Sequence, residues 1–302
     1  MVTHRATVAE DLPALGRLLN AVWNGDEEAA AYHGGGRVPG VVALKGRRIV
    51  GYASARRKPL HPRHTYVGVH VHPDARGQGI GAALWREVTA RTPGSLKTAL
   101  PDADPVSRRF LQRRGLRVSV QTRQPTLDLS RPDQAELERW QAEARTLGYD
   151  LRPMTALDGP AAWPDVVRLH AEVYAHSHRH DPPDPAALDR VDFLGEDLAP
   201  TWLWLARRDG VLAGVSSVRL TDDAARGDLG WFGAAPAFAQ DGEALTLALT
   251  AAALQTAARA GVTRISAELD SADPHALALW RALPWTPGRV WLTLTSASRD
   301  GA

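Results

Sequence analysis

The chain repeats itself, and this limits its fold more than any other property it has. Val41-Val42-Ala43-Leu44-Lys45-Gly46-Arg47-Arg48-Ile49-Val50-Gly51 aligns without a gap on Trp204-Leu205-Ala206-Arg207-Arg208-Asp209-Gly210-Val211-Leu212-Ala213-Gly214. Each is an apolar strand, a polar turn and a second apolar strand closed by glycine, the pattern of a β-hairpin. The closing glycines stand 214 − 51 = 163 residues apart, and so do Pro73 and Pro236, and Gly79 and Gly242. Leu100-Pro101-Asp102-Ala103-Asp104-Pro105 returns as Leu269-Asp270-Ser271-Ala272-Asp273-Pro274 at 274 − 105 = 169, so the second half carries 169 − 163 = 6 extra residues. Several matches in one order at nearly constant spacing mark a duplication.

The 302 residues suit two domains. The expected division is a first domain over 1–130, a helical linker over 131–150 and a second domain over 151–302. Pro132 to Leu147 reads as a polar helix opened by proline, with Leu137, Trp140 and Ala144 on one stripe. Within the first half the pattern is mixed α and β. Leu12, Leu15, Leu18, Leu19 and Val22 recur at helical spacing. Thr65 to Val71 alternates as a strand, with Val67, Val69 and Val71 on one face and Tyr66, Gly68 and His70 on the other. Gly81 to Arg91 reads as a helix, Leu96 to Leu100 as a strand, and Asp104 to Arg114 as a helix stopped by Gly115. Val118 to Val120 and Thr126 to Leu129 read as two short strands.

Composition narrows the chemistry. The absence of cysteine excludes disulfides, thiolate metal sites and a cysteine nucleophile. With 36 basic and 34 acidic residues, the net charge of +2 does not point to nucleic acid. Arg56-Arg57-Lys58 and Arg113-Arg114 read as solvated surface, with attraction for a polyanionic cofactor as the sharper alternative. No stretch is apolar for long enough to span a bilayer, and Met1 to Glu10 lacks the apolar core of a signal peptide. The expectation is a cytoplasmic protein with neither membrane nor nucleic acid as partner.

The most informative stretch is Val69-His70-Val71-His72-Pro73-Asp74-Ala75-Arg76-Gly77-Gln78-Gly79-Ile80-Gly81-Ala82-Ala83-Leu84. A strand ends, a glycine-rich turn follows, and a helix begins. Glycines let successive N–H groups point into one hollow, and a helix N-terminus adds unpaired donors and partial positive charge. Together they suit a pyrophosphate. The plainer reading is a tight strand-to-helix turn without a ligand, for which three glycines in five residues are costly. Neither a dinucleotide fingerprint nor a Walker motif fits the spacing.

These residues resemble the coenzyme signature of the GNAT acetyltransferase superfamily: Arg or Gln, two residues, Gly, one residue, Gly or Ala. Arg76-Gly77-Gln78-Gly79-Ile80-Gly81 fits it, and Val69, Val71 and Pro73 match the pattern that precedes it. The resemblance implies two tandem GNAT-like domains, each a twisted, mostly antiparallel sheet flanked by helices. It implies that amides of Gln78 to Ala82 hold the CoA pyrophosphate and that the strand around Val69 to Val71 pairs with the pantetheine arm. Asp104 falls where the family often has an asparagine touching that arm. In the second half Gly242 and Ala244 survive, but Ala239 replaces the arginine, Gln240 replaces a glycine, and Asp241 and Glu243 place carboxylates where phosphates would sit. The second half is therefore similar to a degenerate GNAT domain, in the manner of tandem GNAT proteins of the mycothiol synthase type. That enzyme's substrate is not carried over, because the intact signature here lies in the first half.

Acetyl transfer to an amine needs a base within reach of the amine and donors for the oxyanion. No carboxylate lies between Pro59 and Pro73. His64, Tyr66 and His70 alternate on one strand face and are the catalytic candidates, histidine having a suitable pKa. His72 before Pro73 reads as filler. Glu27 and Glu28 lie in the expected substrate loop, with a surface helix as the commoner reading. Where the family places its tyrosine general acid, this chain has Leu111, and Trp280 in the second half. Another group serves, solvent serves, or catalysis is lost. His176-Ser177-His178-Arg179-His180-Asp181 reads as a polar loop, with metal ligation the minor alternative; no metal is expected. The leading expectation is an N-acetyltransferase with acetyl-CoA as co-substrate and a small-molecule amine acceptor, attacking directly in a ternary complex. The alternatives are a non-catalytic acyl-CoA-binding or interaction protein, and transfer to a hydroxyl or thiol. A monomer or homodimer fits the duplication.

Overall fold

The computed structural model describes residues 1–26, 29–30, 37–90, 92–156 and 163–297. They form two compact units. One comprises Met1–Ala99, Val106–Val118 and Leu294–Ala302, and the other Leu100–Pro105 and Ser119–Thr293.

The strands of the first unit are β1 (Val2–Ala6), β2 (Gly40–Lys45), β3 (Arg48–Arg57), β4 (His64–Val71) and β5 (Ser95–Pro101). They pair in that order, antiparallel from β1 to β4 and parallel from β4 to β5. Its helices are α1 (Leu12–Trp23), α2 (Ile80–Thr89) and α3 (Pro105–Gln112). Strand alternation sends Val42 and Tyr52 to one face, where they pack on Leu15 and Leu18 of α1. Ala43, Val50 and Ala53 go to the other and pack on Ile80 and Leu84 of α2. The expected stripe on α1 is buried at Leu15, Leu18 and Leu19, half-buried at Val22, and exposed at Leu12 in the first turn. Gly115 adopts φ +81° just past α3, the left-handed conformation of the helix stop read from sequence.

The second unit continues with β6 (Arg117–Asp128), α4 (Gln134–Thr146), β7 (Asp150–Pro153), α5 (Trp163–Ser177), β8 (Leu198–Arg208), β9 (Val211–Leu220) and β10 (Arg226–Ala234). It ends with α6 (Gly242–Arg259), β11 (Arg264–Ser266), β12 (Leu269–Asp270), α7 (Pro274–Ala282) and β13 (Thr286–Thr295). Strands β7 to β10 pair antiparallel in sequence, β11 lies parallel to β10, and β6 pairs antiparallel with both β11 and β12.

The duplication is visible element by element. Adding 163 to the bounds of β3 gives 211–220, which are the bounds of β9. Adding 169 to 95 and to 105 gives 264 and 274, where β11 and α7 begin.

Three expectations are replaced. The units do not part at residues 130 and 150. Residues from Ser119 belong with the second unit, and the C-terminal segment belongs with the first, where Ser296 N–H donates to the Leu96 carbonyl at 2.9 Å. The expected linker helix is α4, and its stripe of Leu137, Trp140 and Ala144 is buried in the second unit's core against α6. It starts at Gln134 because Asp133, not Pro132, caps it by accepting the Glu136 N–H. Finally, β6 is one strand of 12 residues and not two short ones. Its polar middle is kept extended because Arg123 and Thr122 pair with Leu269 and Asp270. Among the described residues no helix is long and apolar enough to cross a membrane.

The glycine that closes each hairpin has a packing reason. A Cβ on Gly51 would lie 2.8 Å from Leu84 Cδ1 and 3.1 Å from Ile80 Cγ2, and one on Gly214 would lie 2.9 Å from the Gly233 carbonyl oxygen and 3.1 Å from Leu249 Cδ1. Glycine lets the following helix settle on the sheet in both halves. Gly51→Val is expected to destabilise the fold by about 1–3 kcal/mol through overpacking. Gly16→Ala, in the interior of α1 with no atom within 4 Å of the new Cβ, should stabilise it by about 0.5–1 kcal/mol. Urea unfolding of the two variants checks both signs.

Candidate functional site

The site is built mostly from main chain. His72 N–H donates to the Val50 carbonyl at 2.9 Å, which fixes the alternation along β4. His70 and Gly68 therefore turn their main-chain groups toward β3, while Val67, Val69 and Val71 turn theirs to the opposite edge. On that edge the parallel ladder with β5 runs only from His64↔Ser95 to Tyr66↔Lys97. Beyond Tyr66, β4 continues to Val71 without a β5 partner. The valine side chains pack toward α2, so the two residues act here through their N–H and C=O groups.

The edge leads into the turn. Pro73–Ala75 is a single 3₁₀ turn, and the His72 ring accepts the Asp74 N–H at 3.2 Å. Gly77 and Gly79 both adopt left-handed backbone, at φ +77° and +78°. A Cβ on either would meet nothing within 4 Å, so glycine serves the backbone conformation and the hollow above it is open. The first intrahelical bond of α2 runs from Ala83 N–H to the Gly79 carbonyl at 3.1 Å. The amides of Gly79, Ile80, Gly81 and Ala82 thus project beyond the helix, at its positive end. Ile80 is buried beneath the turn and anchors it. A Cβ on Gly81 would make ordinary contacts of 3.5–3.7 Å with Val71 and Phe110, consistent with alanine serving at that position. Arg76 Nε donates to the Val71 carbonyl at 3.3 Å, and Gln78 Nε2 to the Asp74 carbonyl at 3.3 Å, so both side chains brace the loop.

On the α1 side of the same gap lies a small open groove. Ser54 and Arg56 of β3, Tyr66 and Gly68 of β4, and Lys97 and Ala99 of β5 line it. Lys58 Nζ lies 4.4 Å and Lys97 Nζ 5.1 Å from the centre of the Tyr66 ring, both in cation–π range. An open row of main-chain donors, an anion-binding turn and an adjoining polar groove can hold a long phosphorylated ligand and present its end to a second molecule.

A model of the acetyltransferase (GNAT) family matches residues 14–116. The match covers about a third of the chain and includes the strand, turn and helix just described. The whole chain matches the structure of a GCN5-related N-acetyltransferase from Sphaerobacter thermophilus at 18% identity and a TM-score of 0.66, over 100% of this chain and 97% of that one. A tandem GNAT protein from the clavulanic acid biosynthesis pathway matches at 20% identity and a TM-score of 0.58, over 98% of each chain. A glucosamine N-acetyltransferase region of a fungal multi-domain GH3 β-N-acetylglucosaminidase matches at 16% and 0.64, over 98% of this chain and 38% of that one. At such identities the likeness is one of fold, and it is that of two tandem GNAT-like domains. No curated protein matches the chain by sequence.

The second GNAT-like half repeats the splayed strands and closes what lies between them. Strand β10 pairs with β11 only from Arg226↔Arg264 to Asp228↔Ser266, and then continues to Ala234. Ala234 stands where Val71 does, since 234 − 163 = 71. Here its N–H donates to His275 Nε2 at 3.4 Å, and His275 Nδ1 meets Thr246 Oγ1 at 3.0 Å. Thr246 Oγ1 itself donates to the Gly242 carbonyl at 2.7 Å, so Nδ1 carries the ring proton and Nε2 accepts. Burial pushes the imidazole down to about 4, which keeps it neutral. The ring fits closely: a Cβ on Gly233 would lie 2.7 Å from its Cδ2. The turn is also rebuilt. Pro236–Asp241 is a 3₁₀ segment and Gly242 is right-handed at φ −58°, so the amides are not splayed into a hollow. Asp241 accepts hydrogen bonds from Tyr149 Oη at 2.6 Å and Arg208 Nη1 at 3.0 Å, and the arginine offsets its charge within the domain.

The catalytic candidates separate. Tyr66 lines the groove. His64 is buried, with Nδ1 2.6 Å from Ser95 Oγ. His70 does not line the groove. It is buried at 4% exposure, stacked on Tyr52 at 6.1 Å and edge-on to Trp23 at 5.9 Å, and burial pushes it down to about 4. An imidazole that weakly basic takes a proton poorly at neutral pH. Leu111 is buried core, and Trp280 packs in the second unit's core with Arg123 over its ring. Asp104 is half-buried in the turn before α3, in a segment that belongs with the second unit. Glu27 and Glu28 lie outside the described residues. His178 stacks on Tyr174 at 4.0 Å as α5 ends, and among the described residues no three histidine or carboxylate side chains form a metal site. Lys97 and His275 escaped the sequence reading. Lys97 gains meaning only from the register that sets it beside Tyr66, and His275 aligns with Val106, since 275 − 169 = 106.

Because His70 is held near 4 in the fold and titrates near 6.5 when unfolded, its neutral form favours folding above pH 6.5, and that contribution is lost as pH falls toward 4. Unfolding free energy should fall on acidification through this window. In His70→Phe the slope between pH 6 and 5 should be smaller by roughly 1 kcal/mol per pH unit. Urea titrations at each pH measure it.

Proposed function

We propose that the protein is an N-acetyltransferase that binds acetyl-CoA in its first GNAT domain and passes the acetyl group to an amine in the α1-side groove. The carrying observation is that the outward main-chain edge at Val69 and Val71 leads through the glycine turn to the projecting helix-end amides of Gly79 through Ala82. The pyrophosphate would sit on the amides of Gln78 to Ala82, with Arg76 beside it, and the pantetheine arm would pair along Val69 and Val71 as an added strand. The thioester then lies where β4 and β5 part, next to the groove.

The amine nitrogen attacks the thioester carbonyl, the C–N bond forms, the oxyanion collapses, and the C–S bond breaks. One proton leaves the nitrogen and one ends on the CoA sulfur, so no covalent enzyme intermediate is required. An outward N–H of β4 would hold the oxyanion. Tyr66 would supply the proton-donating phenol that Leu111 lacks. The second GNAT-like domain would bind no coenzyme, because His275 holds the Ala234 amide and the turn is closed.

Titration calorimetry should give one acetyl-CoA site per chain. Gly79→Glu forces a side chain onto left-handed backbone and adds a charge facing phosphate, and should weaken binding at least about tenfold, or ~1.4 kcal/mol. Wild-type protein that binds no acetyl-CoA would sink the proposal. Tyr66→Phe should lower kcat by about tenfold or more while the acetyl-CoA Kd holds; an unchanged kcat would remove Tyr66 from the proton path.

A further inference from the structure

The ladder that ends where the gap begins is three residue pairs long, and its middle residue is held from behind. Leu96 stands opposite Thr65 in the parallel register. A residue in a parallel ladder turns its N–H and C=O to the same side. Thr65 is in phase with Val67 and Val69, so it turns its groups to β5 between Ser95 and Lys97, and Leu96 turns its own the other way. On that side one residue takes both. The Leu96 N–H donates to Ser296 Oγ at 2.9 Å, and the Leu96 carbonyl accepts the Ser296 N–H at 2.9 Å. Ser296 Oγ gives its own proton to the Ala297 carbonyl at 3.0 Å, which leaves a lone pair fixed on the Leu96 amide. Leu96 is fully buried, so that amide has no water to turn to. The first unit holds a second clasp of the same build. Thr7 N–H donates to the Gly40 carbonyl at 2.9 Å, and Gly40 N–H to Thr7 Oγ1 at 3.0 Å. It closes the start of β2, with β3 between it and β4.

We propose that Ser296 is a positioning residue for the coenzyme: it fixes where β4 and β5 part, and with that the width of the gap that takes the pantetheine arm. This rests on the acetyl-CoA reading above and extends it to a residue 200 positions away in sequence from the strand it holds. A ladder this short is marginal by itself. Without the Ser296 hydroxyl, the Leu96 amide is a buried donor with no acceptor. Strand β5 can relieve it only by shifting, which draws the Lys97 amide off Thr65. Thr98 and Ala99 follow directly on β5 and form the far wall of the gap, so the shift passes to whatever lies there. Misplacing a reacting group by about 1 Å can slow transfer by about a hundredfold. Ser296 touches no reacting atom and acts through Leu96 alone. The Thr7 clasp has no such route to the gap.

The two clasps make a matched test. Ser296→Ala, Ser296→Thr and Thr7→Ala are compared with the wild type by urea unfolding, calorimetric titration of acetyl-CoA, and amide hydrogen exchange. Both alanine variants lose the same kind of bond and should lower the urea midpoint alike. Only Ser296→Ala should raise the acetyl-CoA Kd, by about tenfold, the size of effect one buried donor without an acceptor produces. Only in that variant should the Lys97 amide exchange faster, by at least about tenfold. Ser296→Thr restores the hydroxyl and should return both readouts to wild-type values. An equal loss of affinity in Thr7→Ala marks general destabilisation and overturns the proposal. An unchanged Kd and unchanged Lys97 exchange in Ser296→Ala overturn it as well. Failure of the coenzyme reading shows separately, as absence of acetyl-CoA binding by the wild type. The exchange arm then decides alone: faster Lys97 exchange in Ser296→Ala, and not in Thr7→Ala, supports a ladder held by Ser296, and unchanged exchange refutes it.

Discussion

A parallel pair of strands must satisfy its main-chain groups along the whole shared edge, or leave them to something else. In the first unit β4 and β5 share only three residue pairs before β4 runs on alone. Val69 is thereby left with outward N–H and C=O groups and Val71 with its N–H, its carbonyl being met by Arg76, on an edge that water or a ligand must serve. The glycine turn continues the same line with four helix-end amides. Side-chain chemistry enters only at the margin, where Tyr66, Arg56 and Lys97 face the groove. The site therefore depends on where a ladder stops.

The second unit shows the same constraint met differently. Its splay survives, with three pairs between β10 and β11, so the outward amide of Ala234 again needs an acceptor. His275 supplies one from α7, in a neutral tautomer fixed by Thr246. The cost is a buried imidazole, and the gain is a core that is complete without a ligand. Aspartate at the position of Gln78 would repel phosphate, but Arg208 offsets its charge and Tyr149 donates a hydrogen bond to it. Two copies of one architecture have thus diverged at the same amide, one left open and one filled from within.

Much of this was legible in the sequence because the decisive features are backbone features. The offsets of 163 and 169 locate both ends of β9 and the starts of β11 and α7 to the residue, since hairpin and cap signals are local. Gly77 and Gly79 announce left-handed backbone by their identity. What was not legible depends on pairing. Nothing local tells that Arg56 and Lys97 flank Tyr66 until the registers of both ladders are known. The same holds for His275, which belongs to no motif, and for His70, whose place on the strand face was correct but whose stacking between Tyr52 and Trp23 was not foreseeable. The division into units was missed because it follows long-range pairing of β6 and of Ser296, which no composition shift marks.

The central claim is that the main-chain edge is open in the first half and filled in the second. Amide hydrogen exchange with and without acetyl-CoA tests it residue by residue. The account predicts slowed exchange at Val69, Val71 and the amides from Gly77 to Ala82, with Ala234 and Gly242 through Leu245 unchanged. Protection confined to the second turn, or spread equally over both, would contradict it.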